Sequence, residues 1–138
     1  MSYDLMVFDP AKAPAGRDAF LTWYSEQTQW SEEHGYNDPS VPAPKLRAWF
    51  DEMRKEFAPM NGPFATEDFD DPKVTDYSLG RFVIYAAFAW SEADAARQRS
   101  FDLARKHGVG FFDVSTEDGG VWLPAASGRF ECVHGQST

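Results

Sequence analysis

The chain has 138 residues, the length of one ordinary domain, and 43% of them are hydrophobic and 16% aromatic. A domain of this size buries roughly two-thirds of its unfolded surface, so this composition provides an independent core and argues against general disorder. The formal net charge of −9 argues against nucleic acid and anionic membranes as partners, because both require a basic face.

Cysteine content and the first residues predict where the protein works. The single cysteine, Cys132, cannot form an internal disulfide, which fits a reducing compartment. The opening residues have neither the basic n-region nor the apolar h-region of a signal peptide. The longest apolar run, FVIYAAFAW at 82–90, is far shorter than the roughly 20 residues that cross a bilayer. We therefore expect a cytoplasmic protein.

The first half of the chain predicts one strand and two helices. YDLMVF at 3–8 is a short apolar run with the pattern of a strand buried on both faces. Residues 17–34 repeat large apolar side chains at helical spacing, and Gly35 suits the left-handed cap of that helix. A second helix begins at Pro44 and ends before APMNGP, whose prolines and glycine cannot continue it.

The second half predicts a strand, a helix and a hairpin. RFVIYAAFAW at 81–90 reads as a central strand, and Ser91 with Asp94 imitates the capping box of the next helix. The basic residues and the glycine of KHG favour ending that helix at Gly108. GFFDVS and VWLP then flank the turn TEDGG as a closing hairpin.

This order of elements, β-α-α-β-α-β-β, predicts an α+β fold. We expect a single domain over residues 1–124, built as a sandwich in which about three helices cover one face of a four- or five-stranded sheet. A ferredoxin-like arrangement with an inserted helix is the nearest named architecture, and parallel pairing of the first and central strands is one option. The small polar residues 125–138 predict a loosely held tail.

The sequence contains no recognised catalytic or metal-binding signature. In the acidic stretch ATEDFDDPKVTDYS at 65–78, an EF-hand counted from Asp68 would have Pro72 and Lys73 at the fifth and sixth positions, where a ligand and a glycine are needed. The three histidines are scattered, so a zinc set is missing. We expect no cofactor, no metal and no catalytic residue.

Acidic residues are concentrated in two segments. Residues 18–44 contain five acids without Lys or Arg, and residues 57–80 carry a net charge of −4, so the two segments together account for the whole −9. Clustered carboxylates repel one another, and their placement points to a basic protein surface that they attract while neighbouring rings anchor it. The candidate partner-binding residues are Trp30, Glu32, Glu33, Tyr36, Asp38, Glu67, Asp68, Asp70 and Asp71.

At MSYDLMVFD, LRAWF, GRFVIYAAFAWS and LARKHGVGFFDVS the chain resembles a family of short uncharacterised bacterial proteins. The resemblance implies a shared fold. Through the family's association with immunity-type roles, it also implies a cytoplasmic protein that blocks a toxin.

We therefore predict a non-catalytic cytoplasmic binding protein, in its specific form an immunity-type inhibitor of a basic toxin domain. One alternative is a small-molecule-binding domain or enzyme with a pocket between helices and sheet, which a cavity holding a buried carboxylate such as Asp113 near His107 would favour. Two further alternatives remain open. The protein is a homodimer built on an exposed sheet face, or the acids serve only to keep it soluble.

Overall fold

A computed structural model describes residues 2–30, 35–68, 70–116, 119–125 and 129–134. In these ranges the chain forms an α+β fold with three α-helices and six strands. The elements in chain order are β1 (Ser2–Phe8), α1 (Arg17–Gln27), α2 (Pro44–Glu56), β2 (Asp76–Leu79), β3 (Val83–Ala89), α3 (Ala93–His107), β4 (Gly110–Phe112), β5 (Val121–Pro124) and β6 (Phe130–His134).

The strands form one open sheet in the order β2-β3-β1-β4-β5-β6, and all neighbouring strands are antiparallel. Parallel pairing of β1 with β3 is therefore wrong. The long crossover from β1 leads to β2, and β3 then folds back between the two, antiparallel to both. The closing hairpin of β4 and β5 forms as predicted, with Phe111 opposite Trp122.

The sheet has six strands rather than four or five because β6 lies in the segment that we expected to be a tail. It pairs with β5, where Trp122 lies opposite Cys132. The Phe130 ring packs 5.1 Å from the Phe101 ring of α3. The stretch FECVH is short and only weakly alternating, so its pairing depends on a neighbour that the local pattern does not reveal.

Two cores lie on opposite faces of the sheet. Alternate residues of β1 divide between them: Leu5 and Val7 point toward α2 and α3, whereas Met6 and Phe8 point toward α1. The prediction that the helices cover one face is wrong for α1, because its Phe20 ring lies 5.2 Å from Phe8 on the other face. We refer to these as the α2/α3 face and the α1 face.

The ends of the helices differ from the prediction in two places. α1 ends at Gln27 instead of residue 34, and residues 31–34 lie outside the described ranges. A 3-10 turn, Trp90–Glu92, precedes α3, and no side chain caps that helix, so Ser91 does not act as its cap. Gly108 ends α3 with φ of 70°, the left-handed conformation expected there. None of the described helices is both long and apolar enough to cross a bilayer.

Candidate functional site

Part of the α1 face is left uncovered because α1 is short. Its 11 residues extend only about 16 Å. Its buried residue, Phe20, packs on Phe8 and Phe112, toward the β4 side of the sheet. On β3, by contrast, Tyr85 and Ala87 remain partly exposed between buried neighbours that point to the other face. The end of the α1 face formed by β2 and β3 is therefore open.

This open end contains a groove with a volume of about 330 Å³. Strands β2 and β3 form its floor, and α1 with the residues that follow it forms one wall. The size is at the lower end of the roughly 300–1,000 Å³ found for ligand sites, which suits a small molecule or one side chain. The groove is lined by Tyr24, Thr28, Trp30, Asp76, Ser78, Tyr85 and Ala87.

Strand register places Ala87, a small residue of the groove floor, between two carboxylates. Ala87 lies opposite Asp4 on β1 and opposite Asp76 on β2, so the three share one row and one face of the sheet. Neighbouring strands lie about 4.8 Å apart, which separates the Cα atoms of the two acids by about 10 Å. The row therefore presents two negative charges on either side of a gap.

Hydrogen bonds fix one of these carboxylates and the ring beside it. The Tyr85 hydroxyl donates to Asp4 Oδ2 at 2.5 Å, and the Ser2 hydroxyl donates to Asp4 Oδ1 at 2.6 Å. The hydroxyl groups of Tyr24 and Tyr85 are also hydrogen bonded to each other. Burial raises the pKa of both tyrosines, and the Asp4 carboxylate raises that of Tyr85 further. Both rings therefore stay neutral at physiological pH.

Trp30 forms part of the groove wall and has an unusual backbone. Its φ is 54°, a left-handed conformation that costs a bulky residue about 1–2 kcal/mol. The ring lies 5.0 Å from Tyr36 and 6.3 Å from Tyr85. The side chain is half-buried and packs against both tyrosines. Strained residues of this kind concentrate at functional sites.

The two acidic segments meet at the β2 edge of the sheet. The backbone N–H of Leu79 donates to the carbonyl of Tyr36 at 2.8 Å, which attaches the first segment to β2. The N–H of Thr75 donates to the carbonyl of Ala58 at 2.8 Å and closes the base of the second segment. Gly62 fits against Asn37 so closely that a Cβ at residue 62 would lie 2.6 Å from the Asn37 carbonyl oxygen.

Among the described residues, most carboxylates at this edge form no salt bridge. The one lysine of the second segment, Lys73, turns away and pairs with Glu56 and Glu92 at 3.5 Å each. Within the described ranges, the four exposed acids of residues 67–71 form no salt bridge. Glu32 and Glu33 lie outside those ranges. We call the remaining set the acidic edge: Asp38, Glu67, Asp68, Asp70, Asp71 and Asp76.

Asp113 and His107 do not form the site that the sequence suggested. Asp113 is only 1% exposed, and its carboxylate accepts hydrogen bonds from the Tyr3 hydroxyl at 2.8 Å and from Arg97 Nε at 3.0 Å. His107 contacts Glu52 of α2 instead. The two residues therefore belong to separate structural contacts and do not act together.

The contact between α2 and α3 predicts a pH-dependent contribution to stability. Lys106 and His107 lower the pKa of Glu52 from 4.5 to about 2. Because the folded pKa lies below the unfolded one, this contribution is present above pH 4.5 and is lost as the pH falls toward 2. Urea unfolding of Glu52→Gln should show a deficit relative to the unsubstituted protein at pH 7 that disappears near pH 2. Lys106→Gln should show a similar trend, and a deficit independent of pH would contradict this origin.

The groove residues Tyr24, Asp76 and Tyr85, and Asp4 beside them, were not among the candidates selected from the sequence. The period-two alternation of VIYAAFA on β3 places Tyr85 and Ala87 on one face, so it was the available signal for part of the groove. In the described ranges, no group of three or more His, Cys, Asp or Glu residues is arranged to hold a metal ion.

Comparison with known proteins finds no similarity: no family model, curated protein or solved structure matches the chain. The resemblance to short bacterial proteins therefore stays a prediction. The groove and the acidic edge are the features from which a function can be inferred.

Proposed function

We propose that this protein is a non-catalytic binding protein that captures a basic protein surface on its acidic edge. The observation that carries the proposal is the meeting of two separate acidic segments at β2, where Glu67, Asp68, Asp70 and Asp71 are exposed and form no salt bridge within the described ranges. A concentration of like charge costs self-repulsion but accelerates and orients the approach of a basic partner. Immunity-type inhibition of a basic toxin domain in the cytoplasm is the specific role that we propose.

The rings beside the acidic edge supply anchoring contacts for that partner. Trp30 and Tyr36 pack edge to face at 5.0 Å and are only partly buried. Aromatic residues near the centre of an interface provide much of the binding energy, whereas exposed charges mainly affect the association rate. The proposed interface thus combines carboxylates for attraction with two rings for stability.

Reversing two charges of the acidic edge should weaken capture of the partner. We expect Glu67→Lys with Asp70→Lys to reduce low-salt capture by about thirtyfold, since each reversed rim charge is worth on the order of 1 kcal/mol and the two together about 2 kcal/mol. Both side chains are exposed, so the fold should be retained. The measurement is a pull-down at low salt, with quantitative mass spectrometry of the captured proteins.

A matched control separates location from net charge. Asp18→Lys with Glu131→Lys changes the net charge equally, but Asp18 is at the start of α1 and Glu131 is on β6, the opposite edge of the sheet. This control should retain the partners that the acidic-edge variant loses. If both variants lose the same partners equally, or neither loses any, the proposed interface is wrong.

The groove supports a second candidate function, the binding of a small molecule. Its position between α1 and the sheet is the kind of pocket that this alternative requires, and its volume suits a ligand of few atoms. Capture of a basic protein that depends on the acidic edge favours the first function. Tight binding of a free metabolite in the groove, unaffected by charge reversal at residues 67 and 70, favours the second.

We also propose that β1 to β4 with α2 and α3 form a ferredoxin-like core. The strand order β2-β3-β1-β4 and the position of both helices on one face support it. In this description α1 is the inserted helix, and the β5–β6 hairpin extends the sheet.

A further inference from the structure

We infer that the groove beside the acidic edge binds an alkylguanidinium group. The inference rests on the proposed function for the source of that group, which is an arginine side chain of the basic partner. The groove's preference for a cation follows from the residues that line it and applies equally to a free guanidinium compound.

The charges of the groove select a positive ligand. Asp76 lines it directly, and within the described ranges its carboxylate has no hydrogen-bond or salt-bridge partner. Asp4 lies across Ala87 in the same row and adds a second negative charge. Among the described residues that line it, there is no Lys, Arg or His. An anionic ligand would therefore be repelled here, and a neutral ligand would leave the negative charge unpaired.

The rings of the groove favour an organic cation. Trp30, Tyr24 and Tyr85 line it, and a guanidinium over such rings gains attraction from their negative π faces. Guanidinium is also planar and weakly hydrated, so it can stack on a ring while its N–H groups donate to a carboxylate in bidentate fashion. Asp76 supplies that carboxylate, and the tyrosine hydroxyls are already hydrogen bonded to each other and to Asp4.

The spacing of the acids disfavours a bare metal ion as the shared ligand. Calcium holds its oxygen ligands at about 2.3–2.6 Å, so two oxygens on one ion lie within roughly 5 Å of each other. The Cα atoms of Asp4 and Asp76 are separated by two strand spacings, about 10 Å, and side chains on one face of a sheet stand roughly perpendicular to it, so the geometry does not bring the two carboxylates together. Both oxygens of Asp4 also accept hydrogen bonds already, from Tyr85 and Ser2. A cation with several atoms, placed over Ala87, fits this gap better.

Titration with methylguanidinium tests the inference, with methylurea as its uncharged counterpart. We expect amide chemical-shift changes in 15N–1H spectra that are concentrated on residues lining the groove, with a Kd in about the millimolar range for so small a probe. Asp76→Asn and Trp30→Leu should each weaken binding about five- to tenfold. Glu131→Gln, which removes the same charge at the opposite sheet edge, should leave binding unchanged, and methylurea should not bind.

A second experiment measures the binding of short peptides. It identifies the source of the cation and separates this inference from the proposed function. An arginine-containing peptide should bind more tightly than methylguanidinium, and a lysine-containing peptide more weakly than the arginine peptide. Glu67→Lys with Asp70→Lys should weaken the peptides but leave methylguanidinium unaffected. If methylguanidinium binds in the groove but peptides gain nothing, the groove inference holds and the protein-docking function fails.

Three results would overturn the inference. Equal binding of methylurea and methylguanidinium would show that charge is not recognised. Shift changes spread over all exposed acids would show nonspecific attraction. Peptide binding that depends on residues 67 and 70 but is unchanged in Asp76→Asn and Trp30→Leu would leave the docking function intact and exclude the groove.

Discussion

Replacing Trp49 with alanine is expected to lower the free energy of unfolding by about 3–5 kcal/mol. Trp49 is fully buried between α2 and α3, and its indole N–H donates to the backbone carbonyl of Ser100 at 3.1 Å. The substitution would leave a large cavity and remove the hydrogen bond that joins the two helices. Urea unfolding at pH 7 gives the difference from the transition midpoint, provided that the slope is unchanged.

The same substitution at Trp90 is the matched control. Trp90 is 54% exposed in the turn before α3, and its described ring contact is with Tyr3 at 6.4 Å. Its loss should cost about 1 kcal/mol or less, because little apolar area is returned to water. If Trp49→Ala and Trp90→Ala have equal costs, the α2/α3 face is not the compact core described here.

Much of the fold was predictable because several elements have strong local patterns. The residues Leu46, Trp49, Phe50 and Met53 repeat at helical spacing, and all four are buried in α2. YDLMVF is apolar on both faces, and β1 indeed lies inside the sheet with a core on each side. In these segments the spacing of apolar residues along the chain agrees with the residues that the fold buries, so the element could be predicted from its own residues.

The departures have a common cause, which is information held in distant parts of the chain. The ring pattern of 17–34 predicted a long helix, but α1 ends at Gln27 and Trp30 turns back in a left-handed conformation against Tyr36 and Tyr85. β6 forms because β5 offers a partner. The residues next to Trp30 in the sequence do not signal its contacts with Tyr36 and Tyr85. The residues of β6 likewise do not signal its pairing with β5.

The candidate site was predicted only in part for the same reason. Charge counting located the two acidic segments, and Trp30 and Tyr36 were selected as nearby rings. The groove, however, depends on register: Asp4, Ala87 and Asp76 are far apart in the chain and become neighbours only when β2, β3 and β1 pair. Local sequence cannot align strands that are separated by a crossover containing two helices.

The residues that stabilise the fold and the residues proposed to bind a ligand lie on different faces of the sheet. The α2/α3 face buries Trp49, Phe57 and Phe88 in a compact core, so substitutions there should act on unfolding. The open end of the α1 face exposes Asp76 and partly exposes Trp30, so substitutions there should act on ligands while the protein stays folded. This separation makes the binding experiments on groove variants interpretable.

Replacing Arg97 with methionine is the second substitution for which we expect a large loss, about 2–4 kcal/mol. It would leave the Asp113 carboxylate, 1% exposed, with the Tyr3 hydroxyl as its remaining side-chain partner among the described residues. The loss is below the usual range for a fully buried pair because the Arg97 side chain is 38% exposed. Methionine retains an apolar stem for packing near Phe101 and Trp122, so the change isolates the charge.

Arg105→Met on the same helix is the control for this measurement, because Arg105 pairs with Asp102 on the exposed surface at 3.6 Å. Its cost should be within about 0.5 kcal/mol. Adding Asp113→Asn to Arg97→Met should recover part of the loss, since the neutral amide oxygen can still accept from Tyr3 without carrying an unpaired buried charge. Equal unfolding free energies for Arg97→Met and Arg105→Met, or no recovery in the double variant, would show that the buried carboxylate does not depend on Arg97.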